Sequence, residues 1–95
     1  MFKISTVDTR SKRTLVVEGT LIGPWVDELR TTWVGASQTP GERKLVIDLS
    51  NVTAMSRKGE DVIFDLMKEG AKFSSSDVLT RYMLKQLARK CPIKR

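Results

Sequence analysis

The chain reads as an α/β domain, a mixed sheet of about four strands packed with about three helices. Three observations predict it. Two strand-like segments, Phe2–Val7 and Thr14–Glu18, flank a short polar stretch near the start. Three later segments repeat apolar residues at helical spacing. Between those helices stand a β-branched apolar run, Leu45-Val46-Ile47, and a short candidate strand, Ala71–Ser75. Strands alternating with helices imply right-handed crossovers over a mixed sheet.

Each element follows from its residues. Asp8-Thr9-Arg10-Ser11-Lys12 joins the first two strands, and a hairpin is the economical reading. Gly19-Thr20-Leu21-Ile22-Gly23-Pro24 breaks the strand pattern, with Pro24 where a helix begins. Trp25, Val26, Leu29, Trp33 and Val34 then mark one apolar helix face that ends near Gly35. Gln38-Thr39-Pro40-Gly41-Glu42 is a loop by its Pro-Gly pair. Leu45-Val46-Ile47 is expected to be a central strand covered on both faces. Val62, Ile63, Leu66 and Met67 form the second helical stripe, which stops near Gly70. The last helix runs from about Asp77, capped by Asp77 or Ser76, with Val78, Leu79, Tyr82, Met83 and Leu87 facing inward. The predicted order is β-β-α-β-α-β-α.

Ninety-five residues make one domain with a single modest core. The 40% hydrophobic and 29% charged shares are those of a soluble globular chain. No apolar run approaches the roughly 20 residues that span a membrane, and Met1–Ser5 alternates rather than forming a secretory leader. A cytoplasmic, non-membrane protein is the expectation. One cysteine, Cys91, excludes an internal disulfide and reads as a helix-face residue. With no histidine, neither a structural zinc site nor a histidine base is available, and no glycine-rich phosphate loop is present. No enzyme activity, cofactor or metal is expected. The +6 net charge is concentrated at one end: from Asp77 onward, six basic residues face one acid.

The segment richest in information is Leu45–Gly59, which reads as a buried strand, a polar loop and a glycine opening an amphipathic helix. Together with Leu15-Val16-Val17-Glu18-Gly19 and the strand end Asp48-Leu49-Ser50, it resembles the STAS domains, the anti-sigma-factor-antagonist fold. The resemblance covers about Phe2 to Cys91 and implies a single STAS-like α/β domain, residues 1–95, with a basic C-terminal helix and tail. In that family an Asp-Ser-Ser-Gly turn follows the strand, and a kinase phosphorylates the serine beside the glycine. Here Gly59 is kept, but Ser56 stands at the aspartate position and Lys58 at the serine position. The segment Phe73–Leu79 also departs from the family, which would carry a more apolar fourth strand and a longer loop there.

An ammonium is no substrate for a serine kinase, so the usual switch is missing. Lys58 is also unfavourable near the positive end of a helix, by about 0.3–1 kcal/mol if exposed. Ser56 has two readings, a cap of the helix or a displaced phosphorylation site. Glu60 and Asp61 suit the first helical turn electrostatically. Arg57 and Lys58 are either solvated loop charges or contacts to an acidic partner surface. Asp48 most simply ends its strand and satisfies local backbone groups. Trp25 and Trp33, two turns apart on the apolar face, read as core, with a partner-binding patch as the alternative.

The resemblance implies a non-enzymatic bacterial signalling module acting in transcription regulation. Its implied partner is an anti-sigma factor with a histidine-kinase-like ATPase fold, met by Ser56, Arg57, Lys58 and Gly59. The alternative is nucleic-acid binding by the last helix, where Arg81, Lys85 and Arg89 recur every four residues as one basic stripe. No helix-turn-helix or aromatic stacking platform accompanies that stripe.

Overall fold

The computed structural model describes residues 2–37 and 44–91. The predicted loop Gln38–Glu42 and the basic tail residues Lys94 and Arg95 lie outside the described residues. Seven elements follow in the predicted order: β1 (Phe2–Asp8), β2 (Lys12–Leu21), α1 (Pro24–Ser37), β3 (Lys44–Met55), α2 (Arg57–Lys68), β4 (Lys72–Ser74) and α3 (Val78–Lys90). The sheet order is β1-β2-β3-β4. β1 and β2 form the antiparallel hairpin, pinned beside its turn by a bidentate pair between Arg13 and Asp8 at 2.8 and 3.1 Å. β2–β3 and β3–β4 are parallel, joined through α1 and α2.

The buried strand residues Leu15, Val17, Leu21, Ile47 and Leu49 fall on one face of the sheet. Val26, Leu29 and Trp33 of α1, Val62, Ile63 and Leu66 of α2, and Leu84 of α3 join them in one core. The helices therefore make a single layer on a single sheet face. On the opposite face Val7, Thr14, Val46 and Lys72 stand in one row across the strands, and none of them is buried. β3 is thus covered on one face, not both: Ile47 is fully buried while Val46 is only half-buried.

β2 and β3 run further than their apolar patterns indicate. Glu18–Leu21 pairs with Asn51–Met55 after two register shifts, between Val16 and Glu18 and between Gly19 and Thr20. Each shift puts an extra residue into β3. As a result the inward positions Leu49, Val52 and Met55 are spaced by three instead of two. The stretch read as a polar loop before Gly59 is therefore mostly bulged strand. Gly19, at φ 102°, occupies backbone space that favours glycine beside the second shift.

Two of the predicted helix faces need correction. In α1, Val26, Leu29 and Trp33 are core, whereas Val34 is exposed and Trp25 lies at the surface, stacked on Phe2 with ring centroids 5.4 Å apart. In α3, Val78, Leu79 and Tyr82 are 75%, 79% and 63% exposed. Leu84 is the buried residue there, flanked by half-buried Met83 and Leu87. One helix covers the core with one stripe, and in α3 that stripe is centred on Leu84.

Candidate functional site

The candidate site lies where β3 gives way to α2. Ser56 leaves the sheet in an extended conformation (φ −84°, ψ 172°) and is the N-cap of α2. Its side-chain hydroxyl accepts a hydrogen bond from the Gly59 N–H at 3.2 Å, and its carbonyl accepts from the Glu60 N–H at 3.1 Å. Its own N–H donates to the Leu21 carbonyl at 3.2 Å. One residue thus starts the helix and ties it to the end of β2. The serine is accounted for by this capping geometry, which satisfies a helix-end N–H that would otherwise lack a partner.

Gly59 is buried directly beneath the same β2 end. A Cβ added there would lie 2.7 Å from the Leu21 carbonyl oxygen and 2.7 Å from Met55 Cγ. The glycine is required by space, since the helix backbone passes too close to β2 for any side chain. Of the four residues expected at the partner surface, Ser56 and Gly59 build the platform, and Arg57 and Lys58 are exposed on it.

The two cations occupy the first two helical positions, where unpaired N–H groups already place positive partial charge. Glu60 and Asp61, both exposed, supply opposite charge within the same turn. Beside Arg57, a shallow cavity of about 360 Å³ opens between α2 and α3, lined by Glu60, Asp61, Phe64, Leu87 and Lys90. Lys68 lies over the Phe64 ring at 5.1 Å. On its other side α2 is tied to α1 by Arg30, which reaches Asp65 at 3.0 Å and Glu69 at 3.7 Å. The platform is therefore held from the sheet below and from α1 beside it.

Against expectation, Asp48 does not end its strand: it lies inside β3 beside the first register shift, where its carboxylate accepts from the Ser50 N–H at 2.9 Å and so satisfies a local backbone group. Ser50 in turn accepts from the Ser76 N–H at 2.9 Å, which holds the turn into α3 against β3. Asp77 caps α3, accepting from the N–H and hydroxyl of Thr80 at 2.8 and 2.9 Å. Those two bonds hold its carboxyl below the usual 3.8.

Arg81, Lys85 and Arg89 are all exposed along α3, as their spacing indicates. Sequence reading missed that Val78, Leu79 and Tyr82 share the exposed side. The signal was available: the six apolar positions 78, 79, 82, 83, 84 and 87 span more of the helix circumference than one buried stripe occupies. No helix among the described residues is long and apolar enough to cross a membrane. Compared with known proteins, the chain matches no family model and no curated protein.

Proposed function

We propose that this chain is a non-enzymatic protein-interaction module of STAS type. It binds an anti-sigma factor with a histidine-kinase-like ATPase fold, or a related signalling protein, in the cytoplasm and without a phosphoserine switch. The observation that carries the reading is the head of α2: Ser56 and Gly59 are absorbed into the fold, while Arg57 and Lys58 are displayed on a helix end that disfavours them. Two exposed cations at the positive end of a helix reduce stability, so a contact with an acidic surface explains them better than folding does. Lys58 at the switch position makes binding constitutive, or controlled by something other than serine phosphorylation.

The test is capture of partners on the immobilised protein beside a Lys58→Glu control, with retained proteins identified by mass. The reading predicts retention of a histidine-kinase-like ATPase by the wild type and its loss from the control. Because glutamate suits a helix N-terminus, Lys58→Glu is expected to be as stable as the wild type or more so. Loss of binding is then separable from loss of folding.

A second reading is favoured by one observation, the exposure of Arg81, Lys85 and Arg89 on α3. Such a stripe grips phosphates with an affinity that falls steeply with salt. Val78, Leu79 and Tyr82 on the same side suit an apolar and acidic protein segment better than a nucleic-acid backbone. Binding of duplex DNA that is abolished by Arg81→Ala/Lys85→Ala/Arg89→Ala, with no ATPase captured, would favour this second reading.

A further inference from the structure

Apart from Val7, the large apolar side chains exposed among the described residues gather in two places. Ile22, Trp25 and Val34 stand at α1, and Val78, Leu79 and Tyr82 stand on α3. The two patches differ in charge. On α3, Val78 and Tyr82 line a shallow depression of about 220 Å³ together with Arg81 and Lys85. At α1, the Trp25 N–H donates to the Ile22 carbonyl at 3.0 Å, which closes one turn, and the exposed Asp27 and Glu28 follow directly. None of these four charged residues has an ion-pair partner among the described residues. Arg81 also lies in the first turn of α3, where a cation is unfavourable, so folding does not account for it.

The patches stand at opposite sides of the molecule. Trp25 is stacked on Phe2 of the edge strand β1, whereas Leu84 of α3 shares a groove with Phe73 of the other edge strand, β4. α2 lies between the two helices, tied to α1 by Arg30 and facing α3 where Phe64 and Leu87 line one cavity. One molecule cannot bring its own two patches together.

We propose that this chain associates with a second copy of itself head to tail. The α3 patch of one copy seats Ile22 and Trp25 of the next, and Arg81 and Lys85 meet Asp27 and Glu28. Charge selects both the occupant and the arrangement. Apolar residues rimmed by cations complement apolar residues rimmed by carboxylates, and the chain itself presents such a surface. A two-fold pairing of α3 with α3 would instead oppose Arg81, Lys85 and Arg89 to the same cations, which is repulsive. The depression is smaller than the ~300–1,000 Å³ of a small-molecule pocket and suits a single large side chain. Because the two faces differ, each added copy leaves one of each free, and the assembly is a ring or a filament. The contact uses none of Ser56, Arg57, Lys58 and Gly59, so it stands or falls separately from binding at the head of α2.

The experiment is sedimentation equilibrium of the full chain, treated with nuclease, between roughly 10 µM and 1 mM, a range suited to a contact smaller than a standard interface. The wild type is run beside Arg81→Glu/Lys85→Glu, Asp27→Lys/Glu28→Lys and an equal mixture of these two variants. Tyr82→Ser removes an apolar contact without changing charge. All the substituted side chains are exposed, and thermal unfolding of each variant confirms that it is folded.

The average mass of the wild type should rise with concentration, while each charge-reversed variant alone stays monomeric. Tyr82→Ser should associate about tenfold more weakly. The mixture should associate again, because each variant keeps one native face. A wild type that stays monomeric to the top of the range would overturn the proposal, as would a folded charge-reversed variant that associates like the wild type. So would a mixture of two folded variants that stays monomeric. Amide shifts on dilution should centre on Ile22–Glu28 and on Val78–Lys85. Shifts confined to β1 or β4, as in edge-to-edge pairing of sheets, would overturn it as well.

Discussion

Replacing Gly59 with alanine tests how the head of α2 is held. The added methyl would stand 2.7 Å from the Leu21 carbonyl oxygen, 2.7 Å from Met55 Cγ and 3.2 Å from Leu21 Cγ. Met55 is a flexible side chain and can turn away. The Leu21 carbonyl cannot, because it is backbone, accepts the Ser56 N–H at 3.2 Å, and belongs to a fully buried residue. Ordinary contact begins at 3.4 Å, so strand or helix must shift by more than half an ångström. Overpacking of this kind costs about 1–3 kcal/mol, against a gain of at most ~1 kcal/mol from alanine's better helix propensity. The net loss is about 1–2 kcal/mol, or a fall in Tm of roughly 5–15 °C for a domain of this size. Gly35 in α1 supplies the control, since an added Cβ there meets nothing within 4 Å. Gly35→Ala should raise stability by about 0.5–1 kcal/mol through propensity alone. Thermal unfolding followed by circular dichroism reads both. A Gly59→Ala protein that melts at or above the wild-type temperature would refute the close-approach argument.

Further predictions follow from the caps and from the attachment of the last helix. Ser56→Ala should lose about 1 kcal/mol in urea unfolding, and Ser56→Asp should retain wild-type stability, since aspartate caps equally well and suits the helix dipole; equal losses in both would remove the capping role. Asp77 has a folded pKa below its unfolded one, so its contribution to stability is present above about pH 4 and is lost as pH falls through the lower, folded value. The stability gap between wild type and Asp77→Ala should therefore narrow as the solution is acidified below pH ~4, and a gap that stays constant to pH ~2 would contradict this linkage. α3 is held by one buried residue and α2 by four, so amide exchange should be faster along α3 than along α2, and Leu84→Ala should strip protection from α3 first.

Much of this architecture was legible because local patterns agreed with the fold. The seven elements and their order follow from periodicity, and the caps at Ser56 and Asp77 follow from residue type. What was not legible depends on contacts between distant residues. The bulges in β3 change an inward spacing of two to one of three, so Ser50–Met55 looks like a loop until Glu18–Leu21 is set beside it. Coverage of β3 on one face depends on all the helices choosing the same side, which a run such as Leu45-Val46-Ile47 does not encode. In α3, Val78, Leu79 and Tyr82 fit an inward stripe as well as Leu84 does, and only packing against the rest of the core selects among them. At the site, the serine's cap could be read from the chain, but the reason for the glycine could not. Nothing local in Arg57-Lys58-Gly59-Glu60 reports that the Leu21 carbonyl sits beneath it.

The central claim is that Lys58, displayed at the head of α2, contacts an acidic protein surface in place of a phosphorylatable serine. Its most direct test is calorimetric titration of the captured ATPase into wild type and Lys58→Glu, with thermal unfolding of both run alongside. The account predicts at least about tenfold weaker binding by Lys58→Glu, roughly 1.4 kcal/mol, in a protein that unfolds no earlier than the wild type. Equal affinities in two equally folded proteins would contradict it.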